Sequence, residues 1–111
     1  MGRTVALREF AAARSGDKGA HANVGVWVRT DEAYEVLVRT LTVSVVQQQF
    51  AAYCRGDVVR YELPNVRALN FVLRDALDGG GASSLRTDAQ GKTLALGMLT
   101  IELDVPDGVE L

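Results

Sequence analysis

The chain of 111 residues contains one cysteine, Cys54, one histidine, His21, and two prolines. A single cysteine closes no intrachain disulfide, which points to a reducing compartment. Cys54 and His21 together fall short of a four-ligand zinc site within one chain, so no metal is expected. Cys54 itself reads as a packed helix thiol rather than a nucleophile. An excess of positive charge is also missing: 12 Lys and Arg against 14 Asp and Glu leave a net charge of -2. Proteins that hold nucleic acid draw most of their affinity from basic side chains on phosphates, so that class is set aside. No apolar run reaches the length that crosses a bilayer, and the opening MGRTVALREF carries charge within its apolar part, unlike a secretory signal. The expectation is a cytoplasmic protein that binds neither nucleic acid nor membrane.

What is present is an ordinary globular composition, 48% hydrophobic and 23% charged, in a length that suits one domain over 1–111 with a tail from about 106. Residues 4–13 alternate loosely and predict a first strand. ANVGVWVRT at 22–30 predicts a second, with Val24, Val26 and Val28 on one face and Trp27 and Arg29 on the other. Asp31 is placed to cap a helix bearing Tyr34, Leu37, Val38 and Leu41 at helical spacing. Thr42 is placed to cap another, lined by Val43, Val46, Phe50 and Tyr53 or Cys54, with Gln47, Gln48 and Gln49 as a solvated face and Gly56 at its exit. DVVRYEL at 57–63 alternates as a strand that Pro64 stops. Asn65 then heads a predicted helix whose stripe is Val66, Leu69, Val72, Leu73, Ala76 and Leu77, ended by glycines 79–81. A polar, glycine-rich loop to 92, a short helix and a last strand over 100–105 complete the order. Strands and helices in this order predict an α+β fold, a two-layer sandwich of ferredoxin-like type with helices on one face of an antiparallel sheet.

Chemistry concentrates first in ARSGDKG at 13–19, read as a turn between the first two strands. Gly16 and Gly19 permit close backbone approach, Arg14 and Lys18 supply positive charge, Ser15 a hydroxyl and Asp17 an ion pair or proton acceptor. The segment matches neither GxxxxGK[ST] nor GxGxxG, and a turn capped by Asp17 is the competing reading. Arg60 and Glu62 share a strand face, either as a surface ion pair or as partner contacts. Asn70 interrupts an apolar stretch, and a buried amide there needs hydrogen-bond partners. Tyr61 and Trp27 are candidate interface anchors, with a core position the leading expectation for each.

Three segments together carry a resemblance: RSGDKGAHANVGV at 14–26, VRYELPNVRALNFVL at 59–73 and GGGASSLRTDAQGKTL at 79–94. They resemble the small ferredoxin-fold domain of the acyclic terpene utilisation (AtuA) proteins, found in many relatives behind a much larger domain. The family is associated with breakdown of branched, terpenoid acids as coenzyme A thioesters. The resemblance implies a small subunit beside a large AtuA-type chain, possessing no cofactor of its own and taking a coenzyme A thioester as substrate. A homo-oligomer is the alternative assembly.

The motif positions carried over are Arg14, Ser15, Gly16, Asp17, Lys18, Gly19 and Asn23, then Arg60, Tyr61, Glu62, Pro64, Asn65 and Asn70, then Ser84, Arg86, Asp88, Gly91 and Lys92. Ala20 departs from the pattern, since an acidic residue often follows RSGDKG in the family. The implied roles are catalysis at Asp17 and Lys18, ligand binding at Arg14, Ser15, Gly16, Gly19, Asn23, Ser84, Arg86 and Lys92, and partner contact at Arg60, Tyr61, Glu62, Asn65 and Asn70. The reaction class expected is a hydratase or dehydratase acting on branched or terpenoid acyl-CoA. A noncatalytic module that stabilises the large chain is the alternative.

Overall fold

The computed structural model describes residues 2–18, 21–51, 56–74 and 94–111, with backbone alone at Asp17 and Lys18. The elements are β1 (Gly2–Ala6), β2 (Ala11–Lys18), β3 (His21–Val28), α1 (Asp31–Thr40), α2 (Val43–Gln49), β4 (Val58–Leu63), β5 (Ala68–Leu73), a helix α3 over 94–99, and β6 (Glu102–Pro106). Four strands form an antiparallel sheet in the order β2-β3-β5-β4, while β1 and β6 pair as a second, two-stranded antiparallel sheet.

β3 shows why the chain folds this way. Ala22, Val24, Val26 and Val28 are buried, whereas His21, Asn23 and Trp27 are exposed, so strict alternation assigns one face to the core. β5 adds Leu69, Phe71 and Leu73 to that face. The helices cover it with Leu37 and Leu41, Val46 and Phe50, and Leu94 and Met98, and Leu103 of β6 joins the same cluster. Because β3 and β4 both run antiparallel to β5, they are parallel to each other. The helical pair α1–α2 is the crossover between them, as a split βαβ unit requires. From β3 to β6 the order is βαββαβ, the ferredoxin-like order, but the edge beside β3 is filled by β2 and the last strand pairs with β1.

Helix ends follow hydroxyl chemistry. Thr42 Oγ1 accepts from the Val45 amide at 3.3 Å, as its position predicts. For α1 the cap is Thr30, whose hydroxyl accepts from the Ala33 amide at 3.1 Å, and not Asp31. Asp31 begins the first turn and pairs with Arg67 Nε at 2.8 Å.

Larger departures concern strands. The stretch 4–13 is two strands, because a 3-10 turn at Leu7–Glu9 buries Leu7 and joins its amide to the Ile101 carbonyl at 2.8 Å, which turns the chain from one sheet into the other. Residues 14–18 are not a turn but the end of β2, in register with β3 from Arg14 opposite Gly25 to Lys18 opposite His21. The predicted helix from Asn65 is the central strand β5. Pro64–Val66 make only a 3-10 turn, and Arg67 at φ 52 is left-handed, so a right-handed helix cannot continue through it. Tyr53, Cys54, Ala76, Leu77 and the glycine-rich stretch 79–92 lie outside the described residues.

Candidate functional site

Across the four-stranded sheet, residues opposite one another point to the same face. The face turned away from the helices therefore reads, row by row, Ala12–Trp27–Ala68–Leu63, then Arg14–Gly25–Asn70–Tyr61, then Gly16–Asn23–Val72–Val59. Among the described residues no helix packs on it. Trp27 is 41% exposed, Tyr61 51% and Leu63 45%, so Trp27 and Tyr61 are surface side chains and the expectation of core positions is corrected. The physical reason is parity: each is one step out of phase with the valines and leucines that fill the core.

This face gathers several motif positions that are far apart in sequence. Arg14, Gly16, Asn23 and Asn70 line one shallow depression of about 340 Å³ together with Ser15, Gly25 and Trp27. Two glycines make the room. A Cβ at Gly16 would stand 3.0 Å from the Asn23 side-chain oxygen, and one at Gly25 would narrow the gap beside the Asn70 side-chain oxygen at 3.9 Å. Asn70, read from sequence as an intrusion into an apolar helix, instead occupies the outward side of a central strand. Gly25 and Trp27 carry no ligand role in the sequence motifs. Their signal was strand parity combined with the missing side chain at Gly25.

Other candidates are placed elsewhere. Arg60 lies on the helix-covered side, where one guanidinium nitrogen donates to the carbonyls of Val38 and Leu41 at 2.8 and 3.1 Å. Its other nitrogen meets Glu62 at 3.1 Å. Arg60 thus closes the carboxyl end of α1, satisfying carbonyls that have no amide partner within the helix. Replacing it by alanine is expected to lower stability by about 2 kcal/mol, the scale of hydrogen bonds to a charged group, whereas Glu62→Ala changes it by less than about 0.5 kcal/mol because that pair is largely exposed. Chemical denaturation of both variants measures the difference. Asn65 is exposed in the turn before β5. Asp17 pairs in register with Ala22 and Lys18 with His21 at the end of β2. Gly19, Ser84, Arg86, Asp88, Gly91 and Lys92 lie outside the described residues.

Beneath the covered side, burial pushes the Tyr34 phenol above its ordinary 10.0, and Glu62 reinforces the rise while the Leu63 backbone and Arg60 oppose it. Among the described residues the buried Tyr34 oxygen has no partner in hydrogen-bonding geometry, the Leu63 backbone lying near it without closing a bond. It faces the core side and takes no part in the open face. Among the described residues no three His, Cys, Asp or Glu side chains stand together as a metal site, and no helix is long and apolar enough to cross a membrane.

The open face therefore offers one guanidinium, two amides, exposed aromatic and aliphatic side chains and a floor of glycine. Such a surface suits recognition of a polar group bordered by apolar contact. No curated protein and no solved structure matches the chain. The family model of the AtuA ferredoxin-like domain matches residues 5–104, which takes in the whole four-stranded sheet and the adjoining ends of β1 and β6, and the chain belongs to that family.

Proposed function

We propose that the chain is the small subunit of a two-chain AtuA-type enzyme acting on acyl-coenzyme A thioesters of branched or terpenoid acids, with hydration or dehydration as the reaction type. The observation that carries this reading is the convergence of Arg14, Gly16, Asn23 and Asn70 beside exposed Trp27, Tyr61 and Leu63 on one uncovered sheet face. Exposed apolar side chains grouped on one face mark a surface meant to be covered. The large AtuA-type chain is the occupant, and it converts a shallow depression into an enclosed site.

Within that site Arg14, Asn23 and Asn70 orient the acyl-CoA through charge-assisted and amide hydrogen bonds. Asp17 and Lys18 supply proton transfer from the end of β2, and Ser15, Gly16, Gly19, Ser84, Arg86 and Lys92 extend the binding surface. Enclosure matters because hydrogen bonds and charges act more strongly where water is excluded. A second reading is favoured by the shallowness of the depression: the chain is a noncatalytic module that stabilises the large chain, with Tyr61, Asn65 and Asn70 as contacts.

The test is to tag the chain in its native cell, purify it gently and determine partners and complex mass. Recovery with one large chain in fixed ratio is expected; recovery alone or as a homo-oligomer overturns the subunit reading. In the recovered complex, Lys18→Ala is expected to lower kcat/KM for acyl-CoA at least tenfold while assembly persists. Unchanged kinetics with intact assembly would select the noncatalytic reading.

A further inference from the structure

A second concavity shares Trp27 with the first and is lined by none of the family-motif positions. It has a volume of about 300 Å³ and is bordered by Arg8, Glu9, Phe10, Trp27 and Arg29, with Leu111 at its edge. Arg8 belongs to the 3-10 turn between the two sheets, and Arg29 directly follows β3. Both guanidinium groups are exposed, and neither is ion-paired or hydrogen-bonded among the described residues.

Three features combine here. Two unengaged arginines on one concave wall match phosphate oxygens, which guanidinium groups grip with paired hydrogen bonds. The half-exposed indole of Trp27 offers a flat face on which a nucleobase stacks. Glu9 adds an acceptor for an amino or hydroxyl donor on the same ligand. Trp27 also borders the depression holding Arg14 and Asn70, so the two concavities are neighbours across one side chain.

Resting on the acyl-CoA reading above, we propose that this concavity holds the phosphorylated adenosine end of the thioester, phosphates on Arg8 and Arg29 and adenine on Trp27. The pantetheine arm then runs past Trp27 onto the open sheet face. The site belongs to this chain alone and needs no partner to be tested.

Trp27 is the only tryptophan, so its fluorescence reports the site directly. Coenzyme A and 3',5'-ADP are expected to quench it and to bind at least tenfold more tightly than AMP or inorganic pyrophosphate. Arg8→Ala and Arg29→Ala should each weaken coenzyme A binding by roughly tenfold or more, the scale of one charge-assisted contact, while Arg39→Ala, exposed on α1, leaves it unchanged. Circular dichroism of each variant confirms that the fold persists, and Arg8→Lys and Arg29→Lys provide milder changes should alanine disturb it. Absence of quenching by millimolar coenzyme A overturns the proposal. So does ATP or AMP binding as tightly as coenzyme A, which would assign the concavity to free adenine nucleotides. So does pyrophosphate competing as well as 3',5'-ADP, which would leave the base unrecognised. A chain that ignores coenzyme A yet copurifies with a large chain refutes this site alone; one that binds coenzyme A but is recovered alone refutes the subunit reading alone.

Discussion

Phe71→Ala is expected to cost about 3–5 kcal/mol and to lower Tm by roughly 15 °C, while Val72→Ala costs less than about 1.5 kcal/mol. Phe71 is fully buried on the core side of β5, among Val24, Val26, Leu69 and the helices, so truncation leaves a cavity that rigid strands close poorly. Val72 lies on the opposite face beside Asn23 and Val59, where a shortened side chain borders the open surface instead of an enclosed core. A helix over this segment would reverse the pair, since Val72 but not Phe71 belongs to the apolar stripe at helical spacing. Thermal melts of the two variants therefore test the strand and the placement of Asn70 together. Equal losses at both positions would contradict the assigned faces.

On the proposed subunit reading, replacing Tyr61 and Leu63 together by alanine is expected to reduce recovery of a large AtuA-type chain by about a hundredfold with a Tm change of only a few degrees. Both side chains are about half exposed, on the same face of β4 and beside Asn70 and Ala68 of β5. Truncating them removes little of the core, so stability changes little. Buried against a partner, an aromatic anchor contributes about 2 kcal/mol and a flanking leucine less, and their sum of about 2.8 kcal/mol corresponds to the hundredfold loss. Quantitative copurification alongside a thermal melt separates the effects. Undiminished recovery would remove the open face from the interface, and a parallel fall in Tm would place these residues in the fold itself.

Parity made some of this surface legible in advance. Val24, Val26 and Val28 alternate so regularly with Asn23, Gly25 and Trp27 that β3 and its two faces follow from the residue order. The same holds for β4, where Tyr61 and Leu63 share a side. β5 was not legible for a physical reason: a strand paired on both edges and partly apolar on both faces lacks clean alternation, and ALNFVL fits a helical stripe as readily as a strand. ARSGDK read as a turn because glycine, serine and aspartate favour turns locally. The ladder with β3 overrides that preference, since it pairs every residue from Ala11 to Lys18.

Residue order alone thus determined the α+β class, the helices α1 and α2, the inward valines of β3, the want of a disulfide and the family motifs, because these depend on local periodicity and residue chemistry. Tertiary pairing decided that Arg14, Asn23, Asn70 and Tyr61 share one face while Arg60 serves the end of a helix. It also decided that Arg8 and Arg29 border one concavity with Trp27. Those outcomes depend on which strands lie side by side and in what register, and a shift of one residue in that register would turn every one of the strand side chains to the other face.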